Sequence, residues 1–387
     1  MYNIKTIEGV KKTIFGSGSV MELGNECKKL DASKVLLVID QTLSRSAIAE
    51  KVKESLKSAR IRSYIFSDVT PEPDPKVADL ATELALKEKV QCVIGVGGGS
   101  TMDIAKAIAV LVKNEGKAVD YIGQNKVRKQ GIPTIMVPTT AGTGSETTLT
   151  AVFTQRDTKK KGGINSPYLY PHTAILDPEL TIDLPPMVTA YTGMDALTHA
   201  IESYTSLKAH FMSETVSLRA IELIMDNLRG AVFDGKNLKY RENMMMGSYL
   251  AGLGLAMAGV GAVHAMAYPM GAIFDVPHGI GNGLLLPYVL EYNYPGNIDK
   301  FCNMAMCMDQ EMGELSGREY ASLVADTVFE LAQDIGVPMT LKELDIPEDS
   351  IPEMAKAAMQ VAVPIANNPR PMTEEAAMEI YRNAYEG

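Results

Sequence analysis

The chain has 387 residues, 46% of them apolar and 22% charged, which is the composition of a globular protein too long for one ordinary core; two domains are expected. A formal net charge of −10 argues against nucleic acid and against anionic membrane surfaces as partners, since neither attracts an acidic body. Four cysteines (Cys27, Cys92, Cys302, Cys307) form no CxxC pair, and MYNIKTIEGVKKTIFGSG at the N-terminus has neither an apolar stretch nor a cleavage site, so we expect a reduced, cytoplasmic setting.

Through the first 185 residues, short β-branched runs alternate with helical periodicity. KVLLVID (34–40), SYIFSDV (63–69), QCVIGVG (91–97), PTIMVPTT (133–140) and TAILD (173–177) read as strands buried on both faces. Helical stretches separate the earlier ones: SRSAIAEKVKESLKSA, KVADLATELALKEKV and TMDIAKAIAVLVKN. That alternation predicts a doubly wound, mostly parallel sheet. Asp183-Leu184-Pro185-Pro186 interrupts it, and the remainder reads as helix throughout. The expected domains are therefore an α/β domain over 1–186 and an all-α domain over 187–387. Between Asn243 and Phe274 lie 32 residues without Asp, Glu, Lys or Arg, long enough to cross a bilayer. Six glycines, His264 and Pro269 interrupt that stretch, and no flanking basic cluster accompanies it, so buried core helices are the better reading.

Gly97-Gly98-Gly99-Ser100-Thr101-Met102-Asp103 falls between a buried strand and a helix, where glycine lets the backbone approach a phosphate and the helix N-terminus offers free N–H groups. Ser100 and Asp103 have the spacing of a capping box, and Ile104, Ile108, Leu111 and Val112 mark an inward stripe. Alone, such a turn is as readily a simple tight turn. A second loop, Thr139-Thr140-Ala141-Gly142-Thr143-Gly144-Ser145-Glu146, also follows a strand, which strengthens the case for a nucleotide at the carboxyl ends of the strands. Asp40 closes an early strand, where a carboxylate either accepts from an adenosine ribose or is a solvated turn residue.

Three of the five histidines and one aspartate have the pattern of a metal site. Asp195 and His199, in GMDALTHAIESY, are four apart and share a helix face, while His264 and His278 lie fourteen residues from each other in GVGAVHAMAYP and DVPHGIGN. Three neutral imidazoles and one carboxylate suit Fe(II), Zn(II) or Co(II) and leave a divalent ion with a net charge of about +1. With one open position, such a site stabilises an alkoxide. His172 and His210 read as surface or packing residues.

These pieces together resemble the iron-containing (group III) alcohol dehydrogenase family over nearly the whole chain. GVGGGSTMDIAKAIA (95–109), PTTAGTGSE (138–146), AILDPELTIDLPP (174–186), TGMDALTHAIESY (192–204), VHAMAYPMGAIFDVPHGIGN (263–282) and NNPRPMTEEAAMEIYRNAYEG (367–387) carry the likeness. The resemblance implies a dehydroquinate-synthase-like architecture: an N-terminal dinucleotide-binding α/β domain followed by an all-α domain. It implies that Asp195, His199, His264 and His278 bind a divalent metal, Fe(II) first and Zn(II) as the alternative. It implies further that Gly98, Gly99, Ser100, Thr139, Thr140 and Thr143 cradle NAD(H), that Lys161 in the KKKGG turn contacts it, and that Asp40 faces the adenosine ribose. A homo-oligomer, dimer or higher, is expected.

Two departures from the family pattern stand out. HAMAH is His264-Ala265-Met266-Ala267-Tyr268 here, and the Asn of VxPNP is Glu72. On a helix, Tyr268 shares a face with His264, close to the metal without binding it, and a phenol stays neutral at physiological pH where a histidine would titrate. The expected activity is interconversion of a small primary alcohol and its aldehyde by hydride transfer. The alternatives are a glycerol-dehydrogenase-like or dehydroquinate-synthase-like Zn(II) enzyme, or a non-catalytic nucleotide- and metal-binding protein with a closed site.

Overall fold

The computed structural model describes Ile4, residues 6–155 and residues 160–387 (Lys160 by its backbone), and the chain divides into two units. Residues 1–140 and 145–182 make up the first, and residues 141–144 and 183–387 the second.

In the first unit the strands are β1 (Lys12–Phe15), β2 (Lys34–Val38), β3 (Arg62–Phe66), β4 (Cys92–Gly97), β5 (Gly123–Gln124), β6 (Thr134–Pro138), β7 (Thr150–Gln155), β8 (Lys160–Asn165) and β9 (Thr173–Leu176). The helices are α1 (Leu23–Lys29), α2 (Ala47–Ser58), α3 (Pro75–Glu88) and α4 (Gly99–Leu111). Six strands pair in parallel in the order β1-β9-β6-β4-β2-β3, the doubly wound sheet the alternation predicts. Successive side chains point to opposite faces. Leu36, Val38, Val93 and Met136 pack into one core with α3 and α4, whereas Val35, Leu37, Ile94 and Val137 pack into the other with α1 and α2. The central strands β4, β6 and β9 are buried at every residue, while the edge strands β1 and β3 are partly exposed.

Four strands lie outside the expected set. β1 adds an edge to the main sheet, and β7 and β8 form an antiparallel pair that β5 extends in parallel. Lys161 therefore sits in β8 and not in a turn.

Helix α4 corrects two further expectations. Its N-cap is Gly98, with no side-chain cap, and Ser100 lies inside the first turn, so no capping box forms. The helix is buried on every side from Thr101 to Leu111, with no one-sided stripe. Asp103 instead works inward. Its Oδ1 accepts from Ser145 Oγ at 2.6 Å, its Oδ2 accepts from the Val152 N–H at 2.8 Å, and Lys106 Nζ stands 3.0 Å away. Lys106, fully buried, donates to the Ser145 carbonyl (3.0 Å), Thr148 Oγ1 (3.2 Å) and the Thr150 carbonyl. This buried pair fastens the chain after β6 to α4.

The second unit is helical: α5 (Pro186–Thr205), α6 (Phe211–Phe233), α7 (Leu238–Ala258), α8 (Ala262–Phe274), α9 (His278–Asn293), α10 (Ile298–Cys307), α11 (Gly317–Asp334), α12 (Ile351–Met359), α13 (Ala362–Asn367) and α14 (Glu374–Glu386). They share one apolar core. Among the described residues no single helix is long and apolar enough to cross a membrane, and the uncharged stretch is broken into α7 and α8, bent by 101°. Glycines there permit close packing. A Cβ at Gly254 would come within 2.3 Å of Ser217 Oγ, and one at Gly247 within 2.8 Å of Ile224 Cγ1.

Two predictions follow from the buried ion pair and its neighbour. Lys106→Met leaves Asp103 buried without its cation and should destabilise the fold by about 3–5 kcal/mol, read as a lowered urea midpoint; an unchanged midpoint would refute the anchoring role. Burial pushes the Glu146 carboxyl up to about 7 from its ordinary 4.5, against its backbone hydrogen bond and Lys106. A folded value above the unfolded one gives stability that is complete below pH 4.5 and is lost as pH rises through 7. Glu146→Gln should flatten that stretch of the stability–pH curve, and matching curves for variant and wild type would contradict the assignment.

Candidate active site

Helix α5 carries Asp195 and His199 one turn apart, α8 carries His264, and His278 is the first residue of α9. All three imidazoles turn Nε2 toward one carboxylate oxygen. Asp195 Oδ1 lies 3.8 Å from His199 Nε2, 3.9 Å from His264 Nε2 and 3.8 Å from His278 Nε2. Ligand atoms of Asp195, His199 and His264 all fall within 4.8 Å of one another. The His264 ring stacks on His199 at 4.8 Å and meets His278 edge-on at 5.2 Å. Asp195, His199 and His264 are buried, whereas the His278 side chain is 30% exposed, so the cluster opens on that side.

The electrostatics favour a cation. Burial works to raise the Asp195 carboxyl, yet the three histidines and the Asn282 amide hold it below the usual carboxylate range. Burial also lowers His199, which keeps its imidazole neutral and ligand-competent. Asn282 Nδ2 donates to Asp195 Oδ1 at 2.8 Å and lies 3.2 Å from Nε2 of both His264 and His278. An amide donor thus stands among the acceptors that a divalent ion would take, while Asn282 Oδ1 is buried with no hydrogen-bond partner. This donor set fits a metal.

Tyr268 sits where the helical spacing puts it. Its ring centroid is 6.4 Å from that of His264 and 5.7 Å from that of His278, and burial pushes its hydroxyl up to about 12. Two residues that the sequence reading did not single out complete the cluster. One is Asn282. The other is Glu202, whose Oε2 lies 2.6 Å from His264 Nδ1. The available signal for Glu202 was its position one turn beyond His199 on α5.

In the first unit, β2, β4 and β6 are adjacent and parallel, so the segments after them share one edge of the sheet. Asp40 follows β2, Gly98, Gly99 and Ser100 follow β4, and Thr139 and Thr140 follow β6. Strand order reverses between β2 and β4, the place where doubly wound sheets bind ligands. Gly97 has φ +155°, and a Cβ there would strike Thr101 Oγ1 at 2.6 Å, so the turn into α4 requires glycine. A Cβ at Gly98 would lie 3.8 Å from Thr140 Oγ1, which leaves the two loops side by side around the uncapped start of α4. That cradle fits a phosphate. Thr143 belongs to the 141–144 segment of the second unit, where Gly144 has φ +59° and would meet Gly252 Cα at 2.6 Å with any Cβ.

Asp40 also serves its own turn: Oδ1 accepts from the N–H groups of Thr42 (2.9 Å) and Leu43 (3.0 Å). Lys161 pairs with Glu72, Nζ to Oε1 2.9 Å, and Glu72 Oε2 accepts from Thr154 Oγ1 at 3.3 Å. The two positions at which the chain was expected to meet or to miss the cofactor are thus bonded to each other. Of the spare histidines, His172 meets Lys11 Nζ at 3.2 Å and His210 is the N-cap of α6, both packing or surface roles.

Comparison with known proteins agrees with this architecture. Residues 11–178 match the iron-containing alcohol dehydrogenase family, and residues 189–385 match the C-terminal part of the Fe-containing alcohol dehydrogenase family. Long-chain-alcohol dehydrogenase 1 of Geobacillus thermodenitrificans is 37% identical over 375 residues, 96% of this chain and 94% of the relative. The crystal structure of a 1,3-propanediol oxidoreductase superposes with a TM-score of 0.97 at 36% identity, covering 99% of this chain and 100% of that one. Sulfoacetaldehyde reductase from Bifidobacterium kashiwanohense, solved in complex with NAD+, superposes with a TM-score of 0.91 at 29% identity over 99% of both chains. The chain belongs to the iron-containing alcohol dehydrogenase family and is a metal-dependent, NAD(H)-linked alcohol dehydrogenase.

Proposed function

We propose that Asp195, His199, His264 and His278 hold the divalent metal, with Fe(II) the working ion and Zn(II) able to occupy the same donors. The observation that carries this is the convergence of three imidazole Nε2 atoms on one buried carboxylate oxygen. When bound, such an ion polarises an alcohol or carbonyl oxygen as a Lewis acid, and NAD(H) accepts or delivers the hydride.

The chain's own residues do the binding and the shaping. Gly98, Gly99, Ser100, Thr139, Thr140 and Thr143 cradle the cofactor, the free N–H groups at the start of α4 stabilise its pyrophosphate, and Lys161 approaches it from β8. Asp40 accepts from the adenosine ribose through Oδ2, since Oδ1 is engaged in its own turn. Asp195 supplies the negative charge that keeps the cation in a core otherwise poor in charge. Tyr268 flanks His264 and His278 as a neutral phenol, its proton retained at all physiological pH values. The substrate is a small primary alcohol or its aldehyde, reached from the exposed His278 side. The domain boundary falls near Pro186, with 1–186 the cofactor domain and 187–387 the metal and substrate domain. The enzyme works in the cytoplasm as a homodimer or higher homo-oligomer.

Replacing His199 or His264 by Ala should abolish metal retention and turnover while NADH binding survives, because the cofactor loops are built largely from the first unit. Metal analysis, NADH fluorescence titration and steady-state NADH absorbance with an alcohol and aldehyde panel check this. Near-normal kcat with full metal content would sink the ligand assignment. For Asp40, a carboxylate beside the ribose repels a 2′-phosphate, so NAD(H) should be preferred over NADP(H). Asp40→Asn keeps the turn's acceptor and removes the charge, and should relax that preference by roughly 1–3 kcal/mol. The ratio of kcat/KM for the two cofactors reads it, and an unchanged ratio means Asp40 does not face the ribose.

A further inference from the structure

We propose that Glu202 is a positioning residue for the metal centre: it locks His264 in the tautomer that carries its proton on Nδ1 and presents a bare Nε2 to Asp195, His199 and His278. The inference rests on His264 being a metal ligand, as read above.

Contacts on both sides of the ring and at the start of α8 converge on this. Glu202 is 5% exposed and uses both carboxylate oxygens at short range: Oε2 lies 2.6 Å from His264 Nδ1, and Oε1 accepts from the Val263 N–H at 2.6 Å. A neutral imidazole has one N–H, and a carboxylate at that distance requires it on Nδ1. On the other side of the ring, Asn282 Nδ2 stands 3.2 Å from His264 Nε2. That nitrogen also donates to the Asp195 carboxylate at 2.8 Å, which fixes the amide's orientation with NH2 toward the cluster. An amide nitrogen cannot accept a proton from Nε2, and its remaining N–H is shared between His264 and His278, so a bare Nε2 is what fits there. Both ends of the ring therefore demand the same tautomer.

The remaining contacts concern the backbone. The N-cap of α8 is Gly261, which has no side chain to cap the first turn. The cap comes from elsewhere in the unit: Ala262 N–H donates to Asn368 Oδ1 at 3.3 Å and Val263 N–H to Glu202. Asn368 is itself held by a reciprocal amide pair with Asn293 (2.9 and 2.8 Å). A Cβ at Gly261 would come within 3.1 Å of Glu202 Oε1 and 3.2 Å of Asn368 Oδ1, so glycine is what lets the two acceptors in. Asn368 is the second residue of the NNPRP stretch (367–371), and its side chain serves there as a cap for α8. Glu202 does more than Asn368, because the same carboxylate that caps the helix orients the imidazole three atoms of backbone away. Its negative charge at the positive end of α8 and beside the ring strengthens His264 as a donor to a cation.

The test uses full-length protein freed of metal, Zn(II) alone as the probe, and three chains: wild type, Glu202→Gln and Asn368→Ala. Nitrogen-15 NMR of the histidine rings reads the tautomer, chelator-competition titration reads Zn(II) affinity, and thermal melting reads the fold. Wild-type His264 should carry its proton on Nδ1, and Zn(II) should shift its Nε2 signal. Glu202→Gln should populate both tautomers and bind Zn(II) 10–100-fold more weakly. Asn368→Ala should lower Tm yet keep the wild-type tautomer and an affinity within about twofold, since it removes a cap and leaves the imidazole's partner. A wild-type ring protonated on Nε2 overturns the proposal, and needs no variant to fold. So does Glu202→Gln binding Zn(II) as tightly as wild type. If His264 has its proton on Nδ1 but Zn(II) leaves its signals unmoved, the ligand reading fails while the Glu202 pairing stands.

Discussion

A single buried carboxylate organises the helical unit. Asp195 lies in a core whose neighbouring segments contain few charges, and an isolated ionised carboxylate there would be too costly to keep. Three imidazoles and one amide from three helices are gathered around it, and the packing of α5, α8 and α9 is the packing that brings those groups to one oxygen atom. These imidazoles and the Asn282 amide hold the carboxyl below its usual range despite its burial. The remaining deficit of positive charge is what a divalent cation supplies. Small residues are the condition for this arrangement: Gly193 faces Leu228 side-chain atoms at 2.3 Å from a notional Cβ, and Gly279 faces the Tyr191 carbonyl at 2.5 Å. Helices spaced by larger side chains would hold the histidines too far apart.

The α/β unit differs in what it leaves bare: the first turn of α4, with no side-chain cap. Parallel pairing puts the ends of β2, β4 and β6 together, and the glycines after β4 strip side chains from the approach to α4. A helix start of this kind favours negative charge through its dipole and N–H groups, without adding charge to an acidic protein. Keeping α4 in place falls to Asp103 and Lys106. Both are polar residues on a helix buried on all sides, and they bond to Ser145 near the end of the 139–146 loop. The loops are held both by this internal pair and by the glycines their turns require.

Much of this was legible in the sequence, and the failures have physical reasons. Fully buried strands such as CVIGVG announce themselves because both faces must be apolar. β8 does not, because KKGGIN carries no apolar run and is defined by its partner β7 rather than by its own composition. β7 was readable in principle, since Ala151 and Phe153 are buried and their neighbours are not, but its six residues are mostly short side chains. The clustering of His199, His264 and His278 was legible because histidine is rare here and the i, i+4 spacing of Asp195 and His199 is geometric. Glu202 and Asn282 were not, because a carboxylate or amide on a helix is ordinarily a surface residue, and only the tertiary packing shows which of them turn inward. The supposed Ser100–Asp103 box failed for a related reason: a matching local pattern lost to a stronger tertiary demand, the buried cation of Lys106.

The exchange at position 72 shows how such tertiary demands rewrite a motif. Glu72 adopts φ +48°, a left-handed conformation that Asn takes readily and a longer side chain takes at a cost. A bare substitution there would strain the turn with nothing in return. In this chain the Glu72 carboxylate reaches Lys161 and Thr154, so the turn before α3 is tied to the β7–β8 pair by an ion pair and a hydroxyl. The pair is partly exposed, and its direct contribution to stability is small. Its larger effect is on the lysine. A cation held by a carboxylate has less net charge to offer an anion than one standing alone, so the same two residues that secure the turn also moderate the positive field around Lys161.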